Sequence, residues 1–387
     1  MKLTKQLSGI LLISFALAAC SSQQGSGSTS GSGGTSSSSS GGLGGTSGGT
    51  TIDPAPTQQP AVGIPDQNSM TLVASTINVP SWGLSGVETT VTVFLADQLN
   101  NSSTIADGTI VYFAAEGGAI QPSCTTTNGA CTVTWRSQLP VPTQIAPERA
   151  VAGRDTILAW TLGTESFFDN NSNGFFDDGD TQVNDIGEPF IDKNENGTRD
   201  TDEEFVNFPN PGLSTGGSYD VADGRYAGVN CAHSAPNLCA DDQSVFIFRQ
   251  LVLTNSSDVI LIWPVTGNGP FTSTVLPSPI DVDGGSGSVT LSFLITDSNG
   301  NPPPLGTTIS FSADVGTLLG SGSFTVQNTS LDMGITSPWP TGLVTTVTIV
   351  EDAENTDNEF GFLTITADAG TGGNVSEAFY SLFDPAL

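Results

Sequence analysis

From about residue 67 onward, apolar and polar residues alternate with a period of two. In TTVTVFL (Thr89 to Leu95), Val91, Val93 and Leu95 fall on one side and Thr90 and Thr92 on the other. VTLSFLI repeats the pattern, with Val289, Leu291, Phe293 and Ile295 opposite Thr290 and Ser292. Gly, Asn, Asp and Pro break the runs, and long apolar stripes at helical spacing are missing. Such alternation predicts half-buried strands of antiparallel sheets, an all-β chain.

Two stretches of this pattern align with each other. VTVFLADQLNN followed by ADGTIVYFAAEGGAI, ending at Ile120, matches LSFLITDSNGN followed by PLGTTISFSADVGTL, ending at Leu318. A third strand follows in each, Thr132 to Trp135 and Thr345 to Val350, and then a fourth, Asp155 to Leu162 and Phe362 to Ala367. The repeat unit is about 100 residues, the size of an immunoglobulin-like sandwich. The predicted organisation is a signal peptide (1–19), a tether (20–66), one immunoglobulin-like sandwich (67–164), an acidic insertion (165–244) and a second sandwich (245–387). At the first turn, Gln98-Leu99-Asn100-Asn101 stands where the second copy has Ser298-Asn299-Gly300-Asn301.

The string D-x-N-G-N-P, then G-T-x-I-x-F and a closing glycine, from Asp297 to Gly316, resembles the bacterial Ig-like repeats of invasins and intimins. The resemblance covers most of residues 85–162 and 285–368. It implies tandem surface sandwiches with an adhesive or structural role and brings no catalytic residue.

Between the sandwiches the alternation stops and a shorter repeat begins. ESFFDNNSNGFFDDGD, from Glu165, recurs as EPFIDKNENGTRDTDE, from Glu188. Calcium takes six to eight oxygens, and a loop with oxygen donors at positions 1, 3 and 5, glycine at 6, a backbone carbonyl at 7 and a carboxylate at 12 wraps one ion. The second copy supplies Asp192, Asn194, Asn196, the carbonyl of Thr198, Asp200 and Glu203; the first supplies Asp169, Asn171, Asn173, the carbonyl of Phe175, Asp177 and the shorter Asp180. These loops resemble those of EF-hands, dockerins and thrombospondin type 3 repeats, without the flanking helices of a sensor. Ca2+ is therefore expected as a structural clip, with the insertion projecting from the end of a sandwich.

The first residues, MKLTKQLSGILLISFALAAC, place Lys2 and Lys5 before a short apolar run that ends at a cysteine. The run is too short to span a bilayer and reads as an export signal. Leu17-Ala18-Ala19-Cys20 resembles the bacterial lipobox, which implies a lipidated Cys20, and Ser21 points to the outer membrane. The protein would then face the periplasm or the cell surface. The following Ser, Gly and Thr residues and Pro54, Pro56, Pro60 and Pro65 read as a flexible tether that stiffens at its exit. The net charge of −30 excludes nucleic acid as a partner and leaves an unidentified protein or glycan.

Four further cysteines, Cys124, Cys131, Cys231 and Cys239, are even in number in an exported chain and predict disulfides, with local pairs favoured by proximity. A two-residue turn at Asn128-Gly129 would set Thr126 opposite Cys131, so a Cys124 bond requires a longer loop. Cys231, His233 and Cys239 make an incomplete zinc set. Ser214, in GLSTG, lacks the strand and helix of a nucleophile elbow. The chain therefore reads as non-catalytic. For a glycan-binding alternative, Trp160, Trp263 and Trp339 are the candidate platforms, Trp160 being the one whose neighbours place it in a core.

Overall fold

The computed structural model describes residues 62–143, 152–234, 237–266, 272–285, 287–330, 343–352, 356–370 and 373–386, all within the compact unit Pro56–Leu387. The signal peptide, Cys20, most of the tether and Trp339 lie outside the described residues. The described strands begin with β1 (Thr71–Ala74), β2 (Asn78–Val79), β3 (Glu88–Phe94), β4 (Ile110–Ala115), β5 (Ala119–Ile120), β6 (Ser123–Thr125), β7 (Ala130–Arg136) and β8 (Arg154–Gly163). Short strands of the insertion follow: β9 (Phe167–Phe168), β10 (Thr181–Gln182), β11 (Phe205–Val206) and β12 (Leu213–Ser214). Next come β13 (Val245–Asn255), β14 (Ile260–Thr266), β15 (Thr272–Ser273), β16 (Ile280–Asp281), β17 (Ser288–Asp297) and β18 (Thr308–Ala313). The chain closes with β19 (Thr317–Leu319), β20 (Ser323–Thr325), β21 (Leu343–Val350), β22 (Glu359–Asp368) and β23 (Val375–Asp384).

These strands form two sandwiches with matching order. The first stacks β1-β3-β7-β5 on β2-β13-β8-β4-β6, and the second stacks β15-β14-β17-β21-β19 on β16-β23-β22-β18-β20. The alternating residues meet between the sheets, as expected for aligned sandwiches. Val91, Val93, Leu95, Val133 and Trp135 share one buried core with Val111, Phe113, Ile157, Ala159, Ile247 and Leu253. Phe293, Ile295, Val347 and Ile349 do the same with Ile309, Leu363, Ile365 and Leu382. The fold is all-β.

Three expectations are corrected. Residues 245–255, placed at the start of the second sandwich, are β13, which pairs antiparallel with β8 from Val245↔Gly163 to Thr254↔Arg154. The insertion is therefore a loop inside the first sandwich, because β8 needs this neighbour to satisfy its outer backbone groups. The insertion also does not project from an end. Leu158 and Trp160 on the outer face of β8 and Phe246 on β13 are buried with Ile191 and Val206 of the insertion, so it lies across the sheet. Finally, the last residue assigned to the tether belongs to the first sandwich: Asp66 is buried, and its N–H donates to the Ala96 carbonyl at 3.0 Å.

The matching turns agree despite their different sequences. Asp97 and Asp297 are both fully buried. Each accepts the N–H two and four residues on, Leu99 and Asn101 in the first turn and Asn299 and Asn301 in the second. Asn100 sits at φ 59° where Gly300 has φ 89°, a left-handed position that Asn tolerates.

Both local disulfides form, Cys124–Cys131 and Cys231–Cys239. The first does so across a two-residue turn: Thr127 pairs with Ala130, and Asn128 and Gly129 take φ 52° and 74°. Thr126 leaves that ladder to donate its N–H to Thr109, so Cys124 stands on β6, in the opposite sheet from Cys131 on β7. The bond ties the two sheets together.

Candidate metal centre

The insertion contains two copies of one loop, at residues 165–180 and 188–203. Each loop is closed at its base by a short antiparallel contact, Phe168↔Thr181 and Phe167↔Gln182 in the first copy and Phe190↔Phe205 in the second. Aromatic side chains fix these bases. Phe167, Phe176 and Tyr226 form a small core beside Cys231, and Phe190 meets Tyr219 edge-on, as Phe205 does.

Within the loops the wiring is the same residue for residue. Asp192 accepts the N–H groups of Asn196 (3.0 Å) and Gly197 (2.6 Å), as Asp169 accepts those of Asn173 (3.2 Å) and Gly174 (2.7 Å). The side-chain amides of Asn194 and Asn196 donate to Asp200 at 2.7 and 2.8 Å; those of Asn171 and Asn173 reach Asp177 at 3.0 and 2.6 Å. Glu203 accepts the N–H groups of Lys193 and Asp200, and the shorter Asp180 accepts those of Asn170 and Asp177. The amide oxygens of Asn173 and Asn196 accept from Phe175 and Thr198, which fixes the position-7 residues whose carbonyls were expected as donors. Gly174 and Gly197 have φ 79° and 75°, and the preceding position-4 residues, Ser172 and Glu195, both sit at φ 60°.

All expected side-chain ligands of each loop thus converge within that loop. Among the described residues no group of three or more Asp, Glu, His or Cys side chains is arranged to hold a metal ion; within each loop the asparagine amide nitrogens face Asp177 or Asp200, and the amide oxygens accept backbone N–H groups. Burial separates the copies. Asp192, Asn194 and Glu203 are buried, whereas Asn171, Asn173, Asp177 and Asp180 are partly or fully exposed. Burial raises the affinity of Asp192 and Glu203 for protons, and nearby negative charge adds to it: Glu195 at Asp192, and Asp192 and Asp200 at Glu203. Buried carboxylates that crowd one another in this way are the environment a divalent cation relieves. The donor set is all oxygen, which suits calcium.

Residues outside the loops hold them in place, and sequence reading gave these no role. Glu165 and Glu188, at the same position in the two copies, are brackets. Glu165 accepts the N–H groups of Ile186 (2.8 Å) and Ala227 (2.7 Å); Glu188 accepts those of Phe208 (2.7 Å) and Asp220 (3.0 Å). Burial pushes Glu165 up to about 7, with the charges of Asp185 and Asp223 contributing. Their recurrence at one offset was the available signal. The sheet holds the second loop with Thr156, whose hydroxyl donates to Asp192 O (2.8 Å), and with Gln250, whose amide donates to Phe190 O (2.7 Å). Arg154 grips Glu195 with two nitrogens, at 2.5 and 2.7 Å.

The remaining candidates fall into place. Cys231 and Cys239 are consumed by their disulfide, and His233 pairs with Asp178 at 2.9 Å, which leaves the zinc set without its thiolates. Ser214 lies in a two-strand hairpin, and its hydroxyl donates to Gly216 O. Trp160 is buried and stacks on Tyr112.

No protein-family model and no curated protein matches the sequence. Among solved structures, the chain is similar to the D0-D1 domain of intimin, with 9% identity over 80% of this chain and 97% of that one and a TM-score of 0.21. It is also similar to the Yersinia pseudotuberculosis adhesin InvE, with 9% identity over 83% of this chain and 60% of that one and a TM-score of 0.23. This chain therefore spans less than two thirds of InvE. Likeness at these scores transfers neither activity nor partner.

Proposed function

We propose that the chain is a non-catalytic, lipid-anchored outer-membrane protein, adhesive or structural, whose insertion is clipped onto the first sandwich by two calcium ions. One observation carries this reading: two loops of different sequence share the same internal wiring, which links carboxylates and asparagine amides at the positions a calcium loop uses. Bound ions would neutralise part of a segment that holds many of the acids of a chain with net charge −30. The loop bases are short strand contacts, so the ions act as clips and not as levers that swing helices apart.

Calorimetric calcium titration and thermal unfolding of the chain test this. The expected outcome is two sites and a calcium-dependent rise in Tm, with Asp192→Ala removing one site and most of the rise. Absence of calcium heat, or a Tm indifferent to calcium, would overturn the reading.

A second reading, glycan binding, is favoured by one observation. Trp263 on β14 is 45% exposed beside an apolar depression of about 340 Å³ lined by Leu261, Val265, Leu294 and Thr296. Glycan-array binding that is lost in Trp263→Ala would support it, and an array with no signal would remove it.

A further inference from the structure

The two sandwiches meet through polar groups that are buried at Asn78, Ser256 and Asn301 and exposed at Asn328. The Asn78 side chain, fully buried, donates to Pro303 O (2.7 Å) and Gln327 O (3.2 Å) and accepts the Thr329 N–H (3.3 Å). Asn328 accepts the Ile77 N–H at 2.6 Å and donates to Ala74 O and Ser75 O. Ser256 donates to Pro302 O and Asn301 to Ala152 O. A junction of this kind holds only while its members stay in register, because each buried polar group that loses its partner costs about 1–3 kcal/mol.

One of the groups in this junction also belongs to the second loop. Arg154 is 2% exposed; its Nε and one terminal nitrogen hold Glu195, and its other terminal nitrogen donates to Ser330 O of the second sandwich at 2.9 Å. Glu195 occupies position 4 of the loop, between the expected ligands Asn194 and Asn196, and is not itself a ligand. Its backbone is left-handed at φ 60°, and the Asn196 N–H that follows it is held by Asp192 and Asn194. An ion gathered by Asp192, Asn194 and Asn196 would fix that backbone further. In the first loop the same position is Ser172, which has no carboxylate to offer.

We propose that calcium in the second loop locks the junction between the sandwiches, by fixing Glu195 so that Arg154 is held against Ser330. This inference rests on the calcium-clip reading above and goes beyond it, because it makes the orientation of the second sandwich depend on the ion. Coupling of this sort is reciprocal, so docking of the second sandwich also tightens the second site. The first loop, with no such partner, stabilises the insertion and leaves the junction alone.

The test is hydrogen exchange of the full chain with and without calcium chloride, read at the junction amides of Ile77 and Thr329, alongside calorimetry on the same samples. In the wild type, calcium should slow exchange there about tenfold, within the usual range for coupled sites. Glu195→Gln should still bind two ions but lose that protection, to less than about twofold by the same relation. Arg154→Lys leaves every expected ligand in place and keeps the charge but not the fork, and it should behave likewise. Full calcium protection of the junction in either variant would overturn the lock and leave the clips standing. A wild type that binds no calcium would overturn both.

Discussion

The two sandwiches share a strand order, yet their equivalent faces meet different fates. In the first, the outer face of β8 and β13 offers Arg154, Thr156 and Gln250 to the second loop and buries Leu158, Trp160 and Phe246 beneath the insertion. In the second, the matching face of β22 and β23 carries Phe360, Phe362 and Phe379, all exposed. Topology thus fixes where a cover can lie, and the outward residues decide whether one is held. Polar groups aimed at backbone carbonyls and at a single carboxylate set a fixed register for the insertion, which apolar contact alone does not, since the hydrophobic effect is non-directional.

The largest expected difference between the faces comes from truncating their aromatic residues. Trp160→Ala should cost about 3–5 kcal/mol in urea unfolding, because it opens a cavity between sheet and insertion. Phe362→Ala on the bare face should cost less than about 1 kcal/mol, as exposed substitutions do. Equal losses would mean that the second face is covered in solution.

Acid and base should act on the two matching turns in opposite directions. Burial pushes Asp297 up to about 6, against three N–H donors. Asp97 is buried too, but the Thr104 hydroxyl and the N–H groups of Asn101, Gly63 and Leu99 outweigh that burial and hold it below the usual carboxylate range. The raised group contributes stability that is full below its unfolded pKa and is lost as pH rises through about 6. For the depressed group, the contribution is present above the unfolded pKa and lost as pH falls. Asp297→Asn should therefore flatten the stability change between about pH 4 and 6, an effect of about 3 kcal/mol. Asp97→Asn should instead remove an acid-labile contribution below about pH 4, the region of an unperturbed aspartate. Unfolding midpoints measured across pH in both variants check the signs.

A smaller asymmetry is covalent. Cys124–Cys131 joins the two sheets of the first sandwich, and the second sandwich has no cysteine. Cys124→Ala with Cys131→Ala should cost about 2 kcal/mol, the loop-closure value for so short a loop. Loss confined to the first sandwich, seen as a separate early transition in calorimetry, would sharpen the contrast.

Period-two alternation and the recurrence of Glu165 to Asp180 at Glu188 to Glu203 were readable because each is a local pattern. What escaped the sequence was partnership between distant segments. The alternation in VFIFRQLVLTN identifies a strand but says nothing of its neighbour, so β13 passed for the start of the second sandwich when it completes the first. The two-faced burial of β8 was a usable hint, since Leu158 and Trp160 alternate with Ile157 and Ala159 and leave no polar side for solvent. Arg154 and Glu195 carried no signal at all. Their pairing follows from how the insertion lies on the sheet, and that in turn follows from contacts spread over Ile191, Val206 and Phe246.

The smallest expected effect isolates the turn that the two sandwiches make from different residues. Asn100 and Gly300 both occupy left-handed backbone, each one residue before the asparagine whose N–H caps the aspartate. Glycine reaches this region without a steric penalty but loses more chain entropy on folding, and asparagine tolerates it at small cost. Asn100→Gly should therefore lie within about 0.5 kcal/mol of the wild type, whereas Gly300→Asn should cost about 1 kcal/mol, because φ 89° lies beyond the left-handed well near 60°. Replacing either residue with valine, which is β-branched, should cost more than both swaps together, since the penalty then falls on a side chain that strongly disfavours positive φ. If Asn100→Val were as mild as Asn100→Gly, the first turn would have another backbone path open to it, and the aspartate cap, not the left-handed residue, would be what the two sandwiches truly share.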